Sequence, residues 1–86
     1  MEEIVKTYLH YKMKYPDALL LIGFENYYYA FNSSAFTLQC FTGGVITSEV
    51  INNSLYFYTA KPRCQWQILT DKLRNKGFSF CFIDQL

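Results

Sequence analysis

Eighty-six residues make one domain, 1–86, and 51% hydrophobic with 20% aromatic composition supplies a core that excludes a disordered chain. Eight Lys plus Arg against seven Asp plus Glu leave a net charge of +1, which excludes the broad positive field of an evident nucleic-acid binder and restricts any such contact to a local one. Cys40, Cys64 and Cys81 are odd in number, widely spaced and without a CxxC pair, so they read as free, buried thiols in a reducing cytoplasm rather than as disulfides or a zinc site.

The segment "EEIVKTYLHYKMKYP" carries Val5, Leu9 and Met13 at steps of four, flanked by Ile4 and Tyr8, with Lys6, His10 and Lys14 in a separate polar row. This predicts an amphipathic helix that ends before Pro16, because proline disfavours helical backbone in the residue preceding it. "ALLLIGF" is a short, nearly continuous apolar run, as expected of a strand covered on both faces and placed at the centre of a sheet. Tyr27 to Phe31 reads as a continuation of that strand after a bend. Alternation then puts Tyr27, Tyr29 and Phe31 on one face and Tyr28 with Ala30 on the other.

Asn32, Ser33 or Ser34 is the expected N-cap of a second helix over "AFTLQCF", stopped by Gly43-Gly44. "GVITSEVI" and "SLYFYTAK" are β-branched and aromatic, and Asn52-Asn53 between them suits the left-handed conformations of a tight hairpin. "CQWQILTDKLRNKG" aligns Trp66, Leu69 and Leu73, sets Lys72, Arg74 and Lys76 where a helix dipole favours cations, and ends at Gly77. "FSFCFIDQL" alternates Phe78, Phe80 and Phe82 against Ser79, Cys81 and Ile83 and is expected to be a second interior strand. The fold class is α/β in the mixed α+β sense: a mixed sheet of about four to five strands flanked by three helices, in the order α-β-α-β-β-α-β.

Catalysis has little to work with. His10 is the single histidine and lies on the polar side of its helix, where a solvated surface role is expected; Asp17, Glu25, Asp71 and Asp84 are scattered. Gly43-Gly44 is a helix stop and lacks the pattern of a phosphate loop. The expectation is a non-enzyme with no cofactor, no nucleotide and no metal. No apolar run reaches the ~18 residues of a membrane span, and the acidic start "MEEIVK" is unlike a signal peptide, so a cytoplasmic protein with no membrane contact is expected.

Four stretches in order, "YLHYKMKYPDALLL", "GFENYYYAFNSSA", "AKPRCQ" and "ILTDKLRNKGFSFCFIDQL", resemble the amino-terminal mismatch-recognition domain of the MutS family of DNA mismatch repair proteins. Tyr8, Leu9, Lys12, Tyr15-Pro16-Asp17, Leu19 to Leu21, Tyr28, Phe31, Ala35, Leu73, Gly77 and Gln85 stand at matching places, and the resemblance covers essentially the whole chain. It implies a MutS N-terminal-like fold. It also implies a nucleic-acid-binding site in which the wedging Phe of the family's Phe-x-Glu motif becomes Tyr27 and the Glu becomes Tyr29.

A wedge partly unstacks the duplex, and a mispaired step costs less to unstack than a paired one. Tyr27 keeps a ring able to stack on a base, worth about 1–3 kcal/mol. Tyr29 keeps a hydroxyl but removes the carboxylate. The family's Gly-Asp pair is Glu25-Asn26 here, and its Ile-Pro-x-His element is partly kept as Lys61-Pro62-Arg63-Cys64. The implied nucleic-acid contacts are therefore Tyr27, Tyr29, Asn26, Lys61 and Arg63, with Lys12 or Lys14 as further phosphate neighbours. A second expectation keeps the fold and changes the partner: an accessory module that binds a protein, or a second copy of itself, through the tyrosine cluster.

Overall fold

A computed structural model describes residues 1–85; Leu86, the last residue of the expected domain, lies outside them. The fold is mixed α+β, with three helices and one five-stranded sheet. Helix α1 (Glu2–Lys14) leads into strand β1 (Leu19–Phe24), which is followed by β2 (Tyr27–Phe31), α2 (Ser33–Thr42), β3 (Thr47–Ile51), β4 (Ser54–Pro62), a 3-10 turn (Arg63–Gln65), α3 (Trp66–Asn75) and β5 (Phe80–Gln85). The sheet order is β3-β4-β2-β1-β5; β5 runs parallel to β1 and the other neighbours are antiparallel.

Tyr27–Phe31 is a strand of its own rather than an extension of β1 past a bend. Glu25 takes a positive φ of 54°, the chain reverses within Glu25-Asn26, and Tyr27 pairs back onto Phe24. This adds a β2 to the expected element order. It also gives β1 neighbours on both sides, which explains why Leu19 to Ile22 are all at most 5% exposed.

The pleat of β1 divides the core. Leu19 and Leu21 join Tyr28, Ala30, Ala35, Leu38, Leu69 and Leu73 beneath α2 and α3. Leu20 and Ile22 join Ile4, Val5, Tyr8, Phe31 and Ile51 beneath α1. A strand that feeds two cores must be apolar at every position, and "LLLI" is.

The face of α1 differs from the expected Val5-Leu9-Met13 row. Ile4, Val5 and Tyr8 are buried, whereas Leu9 and Met13 are 46% and 87% exposed. The Tyr8 ring, 5.3 Å from that of Phe31, brings more apolar area to the sheet than Leu9 and turns the helix towards the 4–8 row. Strand β5 is an edge and not a second interior strand: the α3 crossover sets it beside β1, and among the described residues no strand lies beyond it, so Phe80 to Ile83 are half-buried. The cysteines are free, as expected, but not buried; Cys40 and Cys64 are exposed on α2 and the 3-10 turn, and Cys81 on the edge strand is intermediate.

Asn32 is the cap residue of α2, with φ 51° and no side-chain bond to the helix. Its side chain serves the sheet instead. The Phe57 N–H donates to Asn32 Oδ1 (3.1 Å), and the Asn32 N–H donates to the Phe57 carbonyl (2.7 Å). Asn52-Asn53 makes the expected two-residue hairpin, both with positive φ (51° and 64°), and Gly77 ends the α3 region at φ 77°.

Candidate functional site

The tyrosine run occupies β2 next to the β1–β2 turn, and alternation sends its members to opposite sides. Tyr28 is 5% exposed and packs on the α2/α3 side, its ring 4.7 Å from Phe82 in an edge contact and 5.2 Å from Trp66. Tyr27 and Tyr29 point to the α1 side with ring centroids 6.4 Å apart, and Tyr29 lies 6.4 Å from Tyr58. Along this face burial increases away from the turn: Tyr27 is 46% exposed, Tyr29 intermediate and Phe31 fully buried. One row of rings is therefore rooted in the core and open at its tip.

Burial, followed by the neighbouring Tyr58, Glu25 and Tyr27, holds the Tyr29 hydroxyl above its ordinary pKa of 10.0. At physiological pH it is a neutral phenol that can donate and accept a hydrogen bond and carries no charge. Tyr27 offers an exposed ring face or edge to an apolar or planar group.

The candidate cations are arranged differently. In β4, Lys61 pairs with Tyr28 and therefore shares the α2/α3 face, with the sheet between it and Tyr27 and Tyr29. Its Nζ donates to the Gly43 carbonyl (2.8 Å) at the end of α2. Arg63 is bound from several directions. Its backbone N–H donates to the Asn26 carbonyl (2.9 Å), its Nε donates to the Glu25 carbonyl, and its Nη2 pairs with Asp84 Oδ1 at 2.6 Å. The guanidinium carbon lies 5.3 Å from the Tyr28 ring centroid. The hydrogen bond to Asp84 is the main reason the guanidinium is held protonated beyond its already high ordinary pKa.

Gly23 makes this clamp possible. A Cβ there would lie 2.9 Å from Arg63 Nη2, 3.0 Å from a Phe82 ring carbon and 3.1 Å from Asp84 Oδ1. Strand partners Gly23, Tyr28 and Asp84 stand in one row across β2, β1 and β5, and the guanidinium fills the space that a side chain at 23 would take.

Of the five implied contacts, Tyr27 and Tyr29 are thus brought together, Asn26 sits in the adjoining turn with its carbonyl holding Arg63, and Lys61 and Arg63 lie on the other face with donors engaged. Lys12 lines a cavity of about 170 Å³ with Asp17, Leu19, Ser33, Ser34 and Phe78, at the Leu19 end of β1 and away from the turn; Lys14 Nζ lies 5.7 Å from the Tyr11 ring centroid. His10 is exposed on α1 with its ring 4.9 Å from Tyr11. Among the described residues no three His, Cys, Asp or Glu side chains group as metal ligands, and no helix is long and apolar enough to cross a membrane.

Sequence reasoning missed Gly23 and Asp84. A lone glycine inside an apolar strand is itself a sign of close approach by another group, so Gly23 was findable; Asp84, far along the chain, carried no local signal. No family model and no curated protein matches this chain.

Proposed function

We propose that this chain is a non-enzymatic interaction module whose contact patch is the open end of the tyrosine row, Tyr27 with Tyr29, and whose partner is a protein in a reducing cytoplasm. The observation that carries the reading is the contrast within one run: Tyr28 is buried, whereas Tyr27 is 46% exposed at a turn, held over a ring that leads into the core. A large ring kept out of the core beside a second ring is the kind of aromatic group enriched at the centre of protein interfaces. Three unpaired cysteines support the reducing compartment.

Nucleic acid is the reading implied by the MutS resemblance, and the exposed ring of Tyr27 suits a stacking contact. The charges favour a protein. Affinity for DNA rests on phosphates neutralised by Lys and Arg, while the implied cations of β4 and the turn after it, Lys61 and Arg63, are engaged by Gly43, Glu25 and Asp84. The Glu25 carboxylate adds negative charge close enough to raise the Tyr29 pKa.

A photo-reactive phenylalanine analogue placed at position 27, irradiated in cells, tests the reading. The expected result is a discrete protein adduct that is absent when the analogue is placed at the exposed position 13. In parallel, fluorescence titration with mismatched, matched and single-stranded oligonucleotides at low salt is expected to give no binding at about 100 µM protein. Tighter oligonucleotide binding that Tyr27→Ala abolishes overturns the protein reading in favour of DNA.

A further inference from the structure

Strand β3 is the free edge of the sheet opposite β5, and Thr47 to Val50 are all exposed. Ile51 pairs with Ser54 across the two-residue Asn52-Asn53 turn. In such a hairpin the flanking pair is hydrogen-bonded, so alternation bonds Glu49 and Thr47 to β4 and turns the N–H and C=O groups of Ser48 and Val50 outwards. An edge of this kind is a template for another strand unless charged side chains, Pro or a bulge block it, and residues 45–51, "VITSEVI", contain neither Lys nor Pro, with Glu49 as their one charge. Apolar side chains lie on or beside the edge: Val45 is 77% exposed, Val50 67% and Leu55, the β4 partner of Val50, 55%.

The strand and the two residues that precede it, Val45 and Ile46, are self-complementary when read antiparallel about Ser48, so that pairing extends β3 by these two residues. Ser48 meets Ser48 of a second copy, Ile46 meets Val50, and Val45 meets Ile51, while Glu49 falls opposite Thr47. Every apolar residue then opposes an apolar one. The outward groups of Ser48 and Val50 fall at the positions that exchange both N–H···O bonds. The alternative centred on Glu49 would set two carboxylates directly opposite, which is destabilising.

We propose that β3 is a homodimer interface, in which two copies join their sheets by antiparallel pairing of residues 45–51 about a two-fold axis at Ser48. The axis stands perpendicular to the sheet, so the α2 sides of both copies face the same way, and Val50 of each copy, backed by Leu55, lines the seam. This interface is separate from the Tyr27–Tyr29 patch and does not depend on the function proposed for it.

Sedimentation velocity across a concentration series tests the pairing. The expected result is a concentration-dependent dimer whose dissociation constant rises about tenfold or more in Val50→Lys and in Ser48→Pro, and is unchanged in Tyr27→Ala. Proline at 48 removes an N–H that faces away from β4, and circular dichroism checks its fold; if it misfolds, Val50→Lys carries the test alone, since that side chain projects into solvent. With Cys40 and Cys64 changed to Ser, mild oxidation should crosslink the Ser48→Cys variant faster than the Glu49→Cys variant, because paired Cα atoms at the axis stand about 5.5 Å apart. A protein that stays monomeric at about 0.5 mM, a dimer indifferent to Val50→Lys, or the reverse order of crosslinking overturns the proposal.

Discussion

Arg63 and Asp84 meet at 2.6 Å across the place where Gly23 has no side chain, tying the 3-10 turn after β4 to edge strand β5 over the body of the sheet. The pair itself is half open to solvent, with side chains 26% and 48% exposed, so its Coulomb energy alone is small. Arg63 does more than pair with Asp84, because it also satisfies the Glu25 carbonyl and lies on the Tyr28 ring. Arg63→Ala is therefore expected to lower the urea unfolding midpoint more than Asp84→Asn does.

Gly23→Ala tests the same relationship from below. The new methyl would press on the guanidinium, the Phe82 ring and Asp84 Oδ1. The guanidinium end is the flexible part and moves first, breaking the clamp, for a cost of about 1–3 kcal/mol. Combined with Arg63→Ala the losses should fall short of their sum, by about 0.5 kcal/mol or more, as for residues sharing one space. Strict additivity would show that the guanidinium is not what Gly23 accommodates.

Asn32 joins two requirements that one residue type meets well: a backbone φ of 51° and an acceptor for the Phe57 N–H. Glycine meets the first and aspartate both; alanine meets neither. Thermal or urea unfolding is expected to rank Asn32→Asp as the mildest change and Asn32→Ala as the most severe, at about 1–3 kcal/mol, with Asn32→Gly between them.

Alkaline stability follows from two phenols. Burial is the main reason that Tyr8 and Tyr29 both have folded pKa values above their ordinary 10.0. A raised folded pKa means that the folded state holds the proton more tightly. The associated stability is complete below pH 10 and is lost as pH rises from there through the folded values. Unfolding free energy should fall above about pH 10, and less steeply in Tyr8→Phe; a slope identical to that of the parent would exclude Tyr8 as its source.

Much of the architecture was written in local pattern. The unbroken "LLLI" of β1, the Asn52-Asn53 turn and the Trp66-Leu69-Leu73 stripe each carry their reason in a few neighbouring residues. What escaped is set by distant partners. Whether β5 is an edge depends on no strand being added beyond it, and which row of α1 is buried depends on Phe31 waiting beneath Tyr8. The candidate site divides in the same way: alternation along β2 separated Tyr28 from Tyr27 and Tyr29 correctly, but the placement of Lys61 on the opposite face required the β2–β4 register, and that of Arg63 required Gly23 and Asp84 across the sheet, neither of which a local pattern contains.

The tyrosine run gives the sharpest comparison of neighbouring residues. Tyr28→Ala removes a ring enclosed by Trp66, Phe82 and the Arg63 guanidinium, and is expected to cost about 3–5 kcal/mol, enough to unfold much of a marginal domain. Tyr27→Ala removes a ring that is 46% exposed and touches mainly Tyr29, so unfolding should stay within about 0.5 kcal/mol of the parent. Tyr29→Ala falls between, since its ring bridges Tyr27 to Tyr58 and is partly enclosed. A loss at Tyr27 as large as that at Tyr28 would mean that its ring is a structural element and not a contact held ready for a partner. A small loss in Tyr27→Ala, together with a discrete protein adduct from the photo-reactive analogue at position 27, assigns the exposed ring to binding.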